Sequence, residues 1–179
     1  MFNDLSPLQI AAIVVVPTLF AIVIHEIAHG WVAYRLGDKT AYLMGRLTLN
    51  PIKHIDPIGT IIVPAILIYS VDFAFGWAKP VPIDWRNLHN PKRDIALVAV
   101  AGPGANLLMA IFWGLVAKLA SSLPADLAFV AEPLWTTGLF GILINTVLMV
   151  FNLLPIPPTD GGRIAISLSP PNIANALLK

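Results

Sequence analysis

His25-Glu26-Ile27-Ala28-His29 puts two imidazoles and a carboxylate within five residues. On a helix the histidines fall at i and i+4, one turn apart on one face. That spacing lets both bind one metal ion, with Glu26 beside them as a candidate general base. The alternative is a pair of hydrogen-bonded core histidines, and the surroundings argue against it. Residues Ile10 to Ile24 are almost all Ala, Val, Ile, Leu and Phe. Ionisable groups inside such a helix cost roughly several kcal/mol and call for a function.

A catalytic zinc takes three protein ligands and a water. The chain has no cysteine, so the third ligand must be His, Asp or Glu. His54, His89, Asp56 and Asp84 lie in charged stretches and are expected to be solvated. Asp160 closes an apolar span between Pro157-Pro158 and Gly161-Gly162. Its position favours a ligand; the alternative is an N-cap on the next helix. Asn106 and Asn152 lie within apolar spans and could hold a substrate backbone or an oxyanion. They could equally join helices by hydrogen bonds, and the small residues around Gly102 suggest close packing. Nothing around Asn145 suggests a role.

These residues need elements to carry them. The chain has 179 residues, 57% hydrophobic and 12% charged. Its mean hydropathy is +0.78. That composition specifies an α-helical polytopic membrane protein, with 1–179 as one domain. A net charge of +1 offers nothing to nucleic acid, and the lack of cysteine excludes disulfides and thiolate metal sites. The N-terminus has no basic region of signal-peptide type, and the first apolar segment carries the metal motif, so it is expected to be retained.

Three full spans are expected: Leu8 to Leu36 with Pro17 as a kink, Ile95 to Leu119, and Leu134 to Leu154. A short helical segment should start at Asp160. Arg35, Lys39, Arg46 and Lys53 follow the first span, and Lys79, Arg86, Lys92 and Arg93 precede the second. By the positive-inside rule both stretches are cytoplasmic. The apolar run Pro57–Tyr69 between them must then be re-entrant. This topology passes a chemical test. His25 lies about 25 Å along the first span, at 1.5 Å per residue, in the cytoplasmic half. Asp160 follows a span that also enters from outside, so it arrives at the same depth. Gly76-Trp77-Ala78-Lys79-Pro80-Val81-Pro82 reads as a short extended element. Its free donors, including those of Trp77 and Val81, could hold a substrate strand. A Pro-rich surface loop is the alternative.

Three motifs occur in order: His25-Glu26-x-x-His29, Gly102-Pro103-Gly104-Ala105-Asn106, and the run from Asn152 through Pro155, Pro157-Pro158 and Asp160-Gly161-Gly162. Over roughly Ile22 to Ile164 the chain resembles the site-2 protease family of intramembrane zinc metalloproteases. The resemblance implies one Zn2+ per chain on His25, His29 and Asp160, with Glu26 as base. It implies substrates that are transmembrane segments of membrane proteins, cut within the lipid bilayer of the cell membrane. There is no PDZ-type insertion. Family members usually continue past Asp-Gly-Gly with further apolar helix, so a chain ending at Lys179 is expected to be a short form or C-terminally truncated. Two rival classes stay open: an inactive membrane adaptor of the same family, and an ion transporter using a buried His/Asp cluster.

Overall fold

The computed structural model describes residues 6–71 and 76–170. The chain ends discussed above, at Met1–Asp4 and Lys179, lie outside them. Ser6 opens α1 (Pro7–Arg35) with a capping box: its hydroxyl accepts from Gln9 N at 3.3 Å, and Gln9 Oε1 accepts from Ser6 N at 2.9 Å. α1 runs on through Pro17 to Arg35. A short helix, α2 (Thr40–Leu43), follows. α3 (Val63–Val71) is entered through a π-helical turn at Pro57–Ile62. α4 (Pro91–Ala120), α5 (Ala128–Asn152) and α6 (Asp160–Leu168) complete the described residues. α1, α4 and α5 are long and apolar enough to cross a membrane. The three expected spans are therefore present, and α5 begins earlier than expected because the helix accommodates Pro133 in its first turns.

The bundle carries its large side chains outward. Phe20, Leu108, Phe112, Leu143 and Val147 are exposed. Much of the interior is small: Ala21, Ala33, Ala99, Gly102, Ala117 and Ala120 are buried, beside the larger Ile13, Val98 and Trp113. A Cβ at Gly138 would meet Ala117, and one at Gly141 would overlap the Trp113 ring. α4 and α5 thus pack backbone-close through small residues, the pattern of helices that associate in lipid.

One end of the bundle collects the site. His89 N donates to Leu36 O at 3.0 Å, tying the approach to α4 to the end of α1. The fully buried Asp38 strengthens this tie. It accepts from Thr40 N (3.1 Å), Thr40 Oγ1 (2.5 Å), Asp84 N (2.9 Å) and Asn87 Nδ2 (3.0 Å). α6 packs on α4, with Ser167 Oγ donating to Lys92 O. Both basic stretches consequently sit at the same end.

Two expectations need correction. Pro57–Val71 is a π-helical turn running into helix, with no buried side chain in α3, and the fold itself gives no support to a distinct re-entrant element. At 1.5 Å per residue it is also too short to cross, at about 22 Å. Second, no strand occurs among the described residues, and Gly76–Pro82 is an irregular loop. The donors of Trp77, Lys79 and Val81 are already engaged. Trp77 N donates to Gly59 O (3.0 Å), Lys79 N to His54 O (2.9 Å) and Val81 N to Glu26 Oε2 (2.7 Å). Thr60 Oγ1 donates to Trp77 O at 2.8 Å. Buried Arg46 donates through Nη2 to Lys79 O (2.9 Å) and Pro80 O (3.3 Å). His54, expected to be solvated, is buried, with Nε2 2.9 Å from Thr48 O.

Asp38 sets a test. Burial raises its pKa, but the hydrogen bonds from Thr40, Asn87 and Asp84 outweigh that and hold it below the usual carboxylate value. A depressed folded pKa adds stability above the unfolded value of about 3.9, and that stability is lost as pH falls through the folded value. Asp38→Asn should lower stability at pH 7 by about 1–3 kcal/mol. Thermal unfolding in detergent should show the gap to wild type closing below about pH 4.

Candidate active site

α1 presents His25 and His29 on one face and Glu26 about 100° round the axis. α4 crosses that face at Gly102. A Cβ there would overlap His29 Nε2 and the His25 ring, so only glycine lets the two helices approach with both imidazoles between them. Behind Gly102, α4 holds each ring by its far nitrogen. His29 Nδ1 lies 2.7 Å from Val98 O, and His25 Nδ1 lies 2.6 Å from Asn106 Oδ1. A carbonyl only accepts, so both Nδ1 atoms donate and both Nε2 atoms keep a free lone pair. The orientation of the Asn106 amide is fixed, because its Nδ2 donates to Ala21 O (3.2 Å) and Asn145 Oδ1 (3.0 Å). Asn145 Nδ2 in turn donates to Gly141 O at 2.9 Å.

Asp160 arrives from α6. Thr159 is the N-cap, accepting from Gly162 N at 3.3 Å and donating to Ile156 O at 2.8 Å. The cap role considered for Asp160 is therefore filled by its neighbour. Gly161 and Gly162 lie against the backbone of Leu153 to Pro157, where any Cβ would collide. This close seat turns Asp160 to the histidines. Its Oδ2 is 3.3 Å from His25 Nε2 and 3.2 Å from His29 Nε2, and the two Nε2 atoms are 3.0 Å apart. Asp160 Oδ2 is buried without a hydrogen-bond donor. Three lone-pair acceptors thus face one another.

The spacing suits a metal. Tetrahedral ligands about 2.0–2.1 Å from zinc stand about 3.3 Å apart. Glu26 lies beside this cluster with its Oε2 accepting from Val81 N. Gly30, one turn on, leaves the room that Val81 and Leu47 fill. A cavity of about 250 Å³ opens over the cluster, lined among others by Glu26, Val81, Trp85, Asn152 and Arg163.

The other candidates separate. Asn152 lines the cavity, with Nδ2 donating to Leu148 O at 2.9 Å. Asn106 is fully buried and outside the cavity, with both amide atoms occupied, so it orients His25 and has nothing left for a substrate. Trp77 is half exposed and away from the cavity, packed over Gly59. Val81 lines the cavity, but its donor is taken by Glu26. Asn145 and Arg46 support the site without any sign of it in the sequence. An asparagine four residues after Gly141 and an arginine after Gly45 carry no local signal; only the fold reveals their partners.

The chain matches proteins described as zinc metalloproteases. It is 42% identical over 174 residues to "Putative zinc metalloprotease YwhC" of Bacillus subtilis, covering 93% of this chain and 74% of that one. It is 31% identical over 171 residues to "Putative zinc metalloprotease Rip2" of Mycolicibacterium smegmatis, covering 94% and 62%. To Rip2 of Mycobacterium tuberculosis it is 30% identical over 166 residues, covering 89% and 59%. The chain therefore spans about three-fifths of the length of the Rip2 relatives. No family model and no solved structure matches it. The fold and cluster define a helical membrane protein with a metalloprotease-type centre. With the relationship to YwhC, the chain belongs to the site-2 protease family of zinc metalloproteases.

The asparagine relay generates a prediction. Loss of a hydrogen bond that orients a metal-binding histidine typically costs about 10–100-fold in metal affinity. Asn106→Leu should show a loss in that range, and Asn145→Leu a smaller one. Competition with a chromophoric zinc chelator measures both. Unchanged affinity in Asn106→Leu would remove it from the support of His25.

Proposed function

We propose that the protein is a zinc-dependent intramembrane endopeptidase that cuts peptide bonds within or near transmembrane segments. One observation carries this reading: His25 Nε2, His29 Nε2 and Asp160 Oδ2 lie 3.0–3.3 Å apart with no donor among them. Three facing acceptors repel unless a cation joins them. Their chemistry, two neutral imidazoles and one carboxylate with room for a fourth ligand, fits catalytic zinc. Zinc bound here supplies a Lewis acid that polarises the scissile carbonyl and acidifies an attacking water.

The protein's own groups do the rest. His25 and His29 hold their metal-facing nitrogens unprotonated because Asn106 and Val98 accept from the opposite ones. Glu26 takes the proton of the attacking water and passes it to the leaving amine. Val81 N–H holds the Glu26 carboxylate at the cavity wall. Asn152 offers its amide to the substrate backbone. The apolar exterior of the bundle supports a membrane-embedded substrate, which must unwind locally to expose its carbonyl. The position of eight Lys and Arg residues at the site end of the bundle supports a cell-membrane orientation with that end cytoplasmic.

Purified protein should hold about one zinc per chain, and His25→Ala or Asp160→Ala should lose most of it. Glu26→Gln should keep zinc and abolish cleavage of membrane-segment substrates. Cleavage at the wild-type rate in Glu26→Gln would defeat the assignment of the base, and full metal retention in Asp160→Ala would defeat the ligand set. Topology can be tested separately. Single cysteines at Lys53 and Arg86 should be labelled from the same, cytoplasmic, face by an impermeant thiol reagent, since the chain has no other cysteine. Labelling from opposite faces would reject this orientation.

A further inference from the structure

Arg163 has a place in the cavity that the chemistry above leaves unused. It follows Asp160 by three residues, about 4.5 Å along α6 and on the same side of the helix. It lines the cavity together with the metal cluster, and it is the one Lys or Arg among the lining residues. Its guanidinium lies 4.9 Å from the centroid of the Trp85 ring. Trp85 is itself anchored, packed against the buried cluster of Ala33, Leu88 and Val98 from α1, the preceding loop and α4. The ring is thus a fixed platform, and a guanidinium stacked on it keeps its in-plane N–H donors free. Among the described residues no carboxylate pairs with Arg163; the arginine ion pairs are those of Arg86 with Asp84 and Arg93 with Asp94. Of the two acids in the cavity, Asp160 turns its Oδ2 to the histidines and Glu26 accepts from Val81 N.

We propose that Arg163, held on Trp85, is a carboxylate-binding subsite beside the scissile position. It selects polypeptides with an Asp or Glu within about three residues of the cut, the reach set by one helical turn from Asp160. The planar fork suits bidentate pairing with a carboxylate. The terminal carboxylate created by cleavage carries the same chemistry and is the other source of ligand. The proposal rests on the protease reading, because the subsite has meaning only next to a scissile bond.

The test separates the two. Synthetic transmembrane peptides of one Leu/Ala/Gly sequence carry a single Asp, Asn or Lys scanned over the central six positions. Their binding is measured in detergent to Glu26→Gln protein, and their cleavage with protein that has intact Glu26. At one or two positions, Asp should be favoured over Asn by about fivefold in both assays, the scale of a partly exposed charge-assisted pair. Arg163→Gln should bring that ratio to about one, and Arg163→Glu should favour Lys instead. Arg163→Lys should keep part of the preference, since it keeps the charge and loses the fork. A peptide corresponding to the N-terminal product should compete better as the free acid than as the amide, and Arg163→Gln should abolish only that difference. Equal losses for Asp and Asn peptides, with no change in either ratio, would overturn the subsite and leave Arg163 a packing partner of Trp85. Absence of cleavage for every peptide, with the binding ratios intact, would count against the protease reading and not against the subsite.

Discussion

Three acceptor atoms facing one another inside an apolar bundle set the terms for the rest of this molecule. Left alone, His25 Nε2, His29 Nε2 and Asp160 Oδ2 would repel, and their burial would oppose insertion of α1. The fold spends its few buried polar groups on keeping them together. Val98 O and the Asn106 amide fix the ring tautomers, Asn145 and Ala21 O fix the amide, and Thr159 takes over the capping duty so that Asp160 can turn inward. Glycines do the steric half. Gly102 admits both imidazoles between α1 and α4, and Gly161-Gly162 seat α6 under the turn that delivers Asp160. Apolar burial alone would not select this arrangement, since lipid is as apolar as the helix surfaces. Small residues and directed hydrogen bonds do.

The loop from Gly76 to Pro82 works by the same economy. Its backbone donors go inward to Gly59, His54 and Glu26, and its carbonyls at Lys79 and Pro80 are held by buried Arg46. A loop so fastened is a wall. It carries one consequence for the proposed chemistry: Glu26, the proposed base, is held by a backbone N–H from a different element than those bearing His25, His29 and Asp160. The metal-binding face of α1 and the proton-handling face are thereby braced from opposite sides, α4 on one and the loop on the other.

How much of this was legible in the sequence follows from the range of the interactions. The i, i+4 histidines and the apolar period are local, so α1 and its candidate ligands could be read directly. The topological argument reached Asp160 because charge asymmetry constrains which ends meet, and the structure does bring Asp160 to the histidines. The loop was misread for a physical reason. Its prolines do favour extended backbone, but whether the remaining donors are free depends on Gly59, His54 and Glu26, which lie at sequence separations no local pattern encodes. His54 was misjudged in the same way: a charged neighbourhood in sequence became a buried one once Lys79 folded back over it. From sequence Asn106 was a candidate for substrate binding or helix packing, and nothing gave Asn145 a role. One proved to touch a histidine and the other to hold the first in place, and only the crossing of α4 over α1 and α5 distinguishes them.

Separation of duties explains why Arg163 is tolerable so close to the proposed metal site. A cation one turn from Asp160 should weaken binding of a divalent ion if its charge pointed inward. Arg163 is instead exposed, with its guanidinium over the Trp85 ring, and an exposed charge acts less on its neighbours than a buried one. Trp85 can hold it there because the ring is packed against the α1–α4 core. The same hydrophobic cluster that joins the two helices bearing the histidines and their supports therefore also fixes the position of the nearest positive charge, so the packing of Ala33, Leu88 and Val98 governs both the geometry of the centre and its electrostatic surroundings.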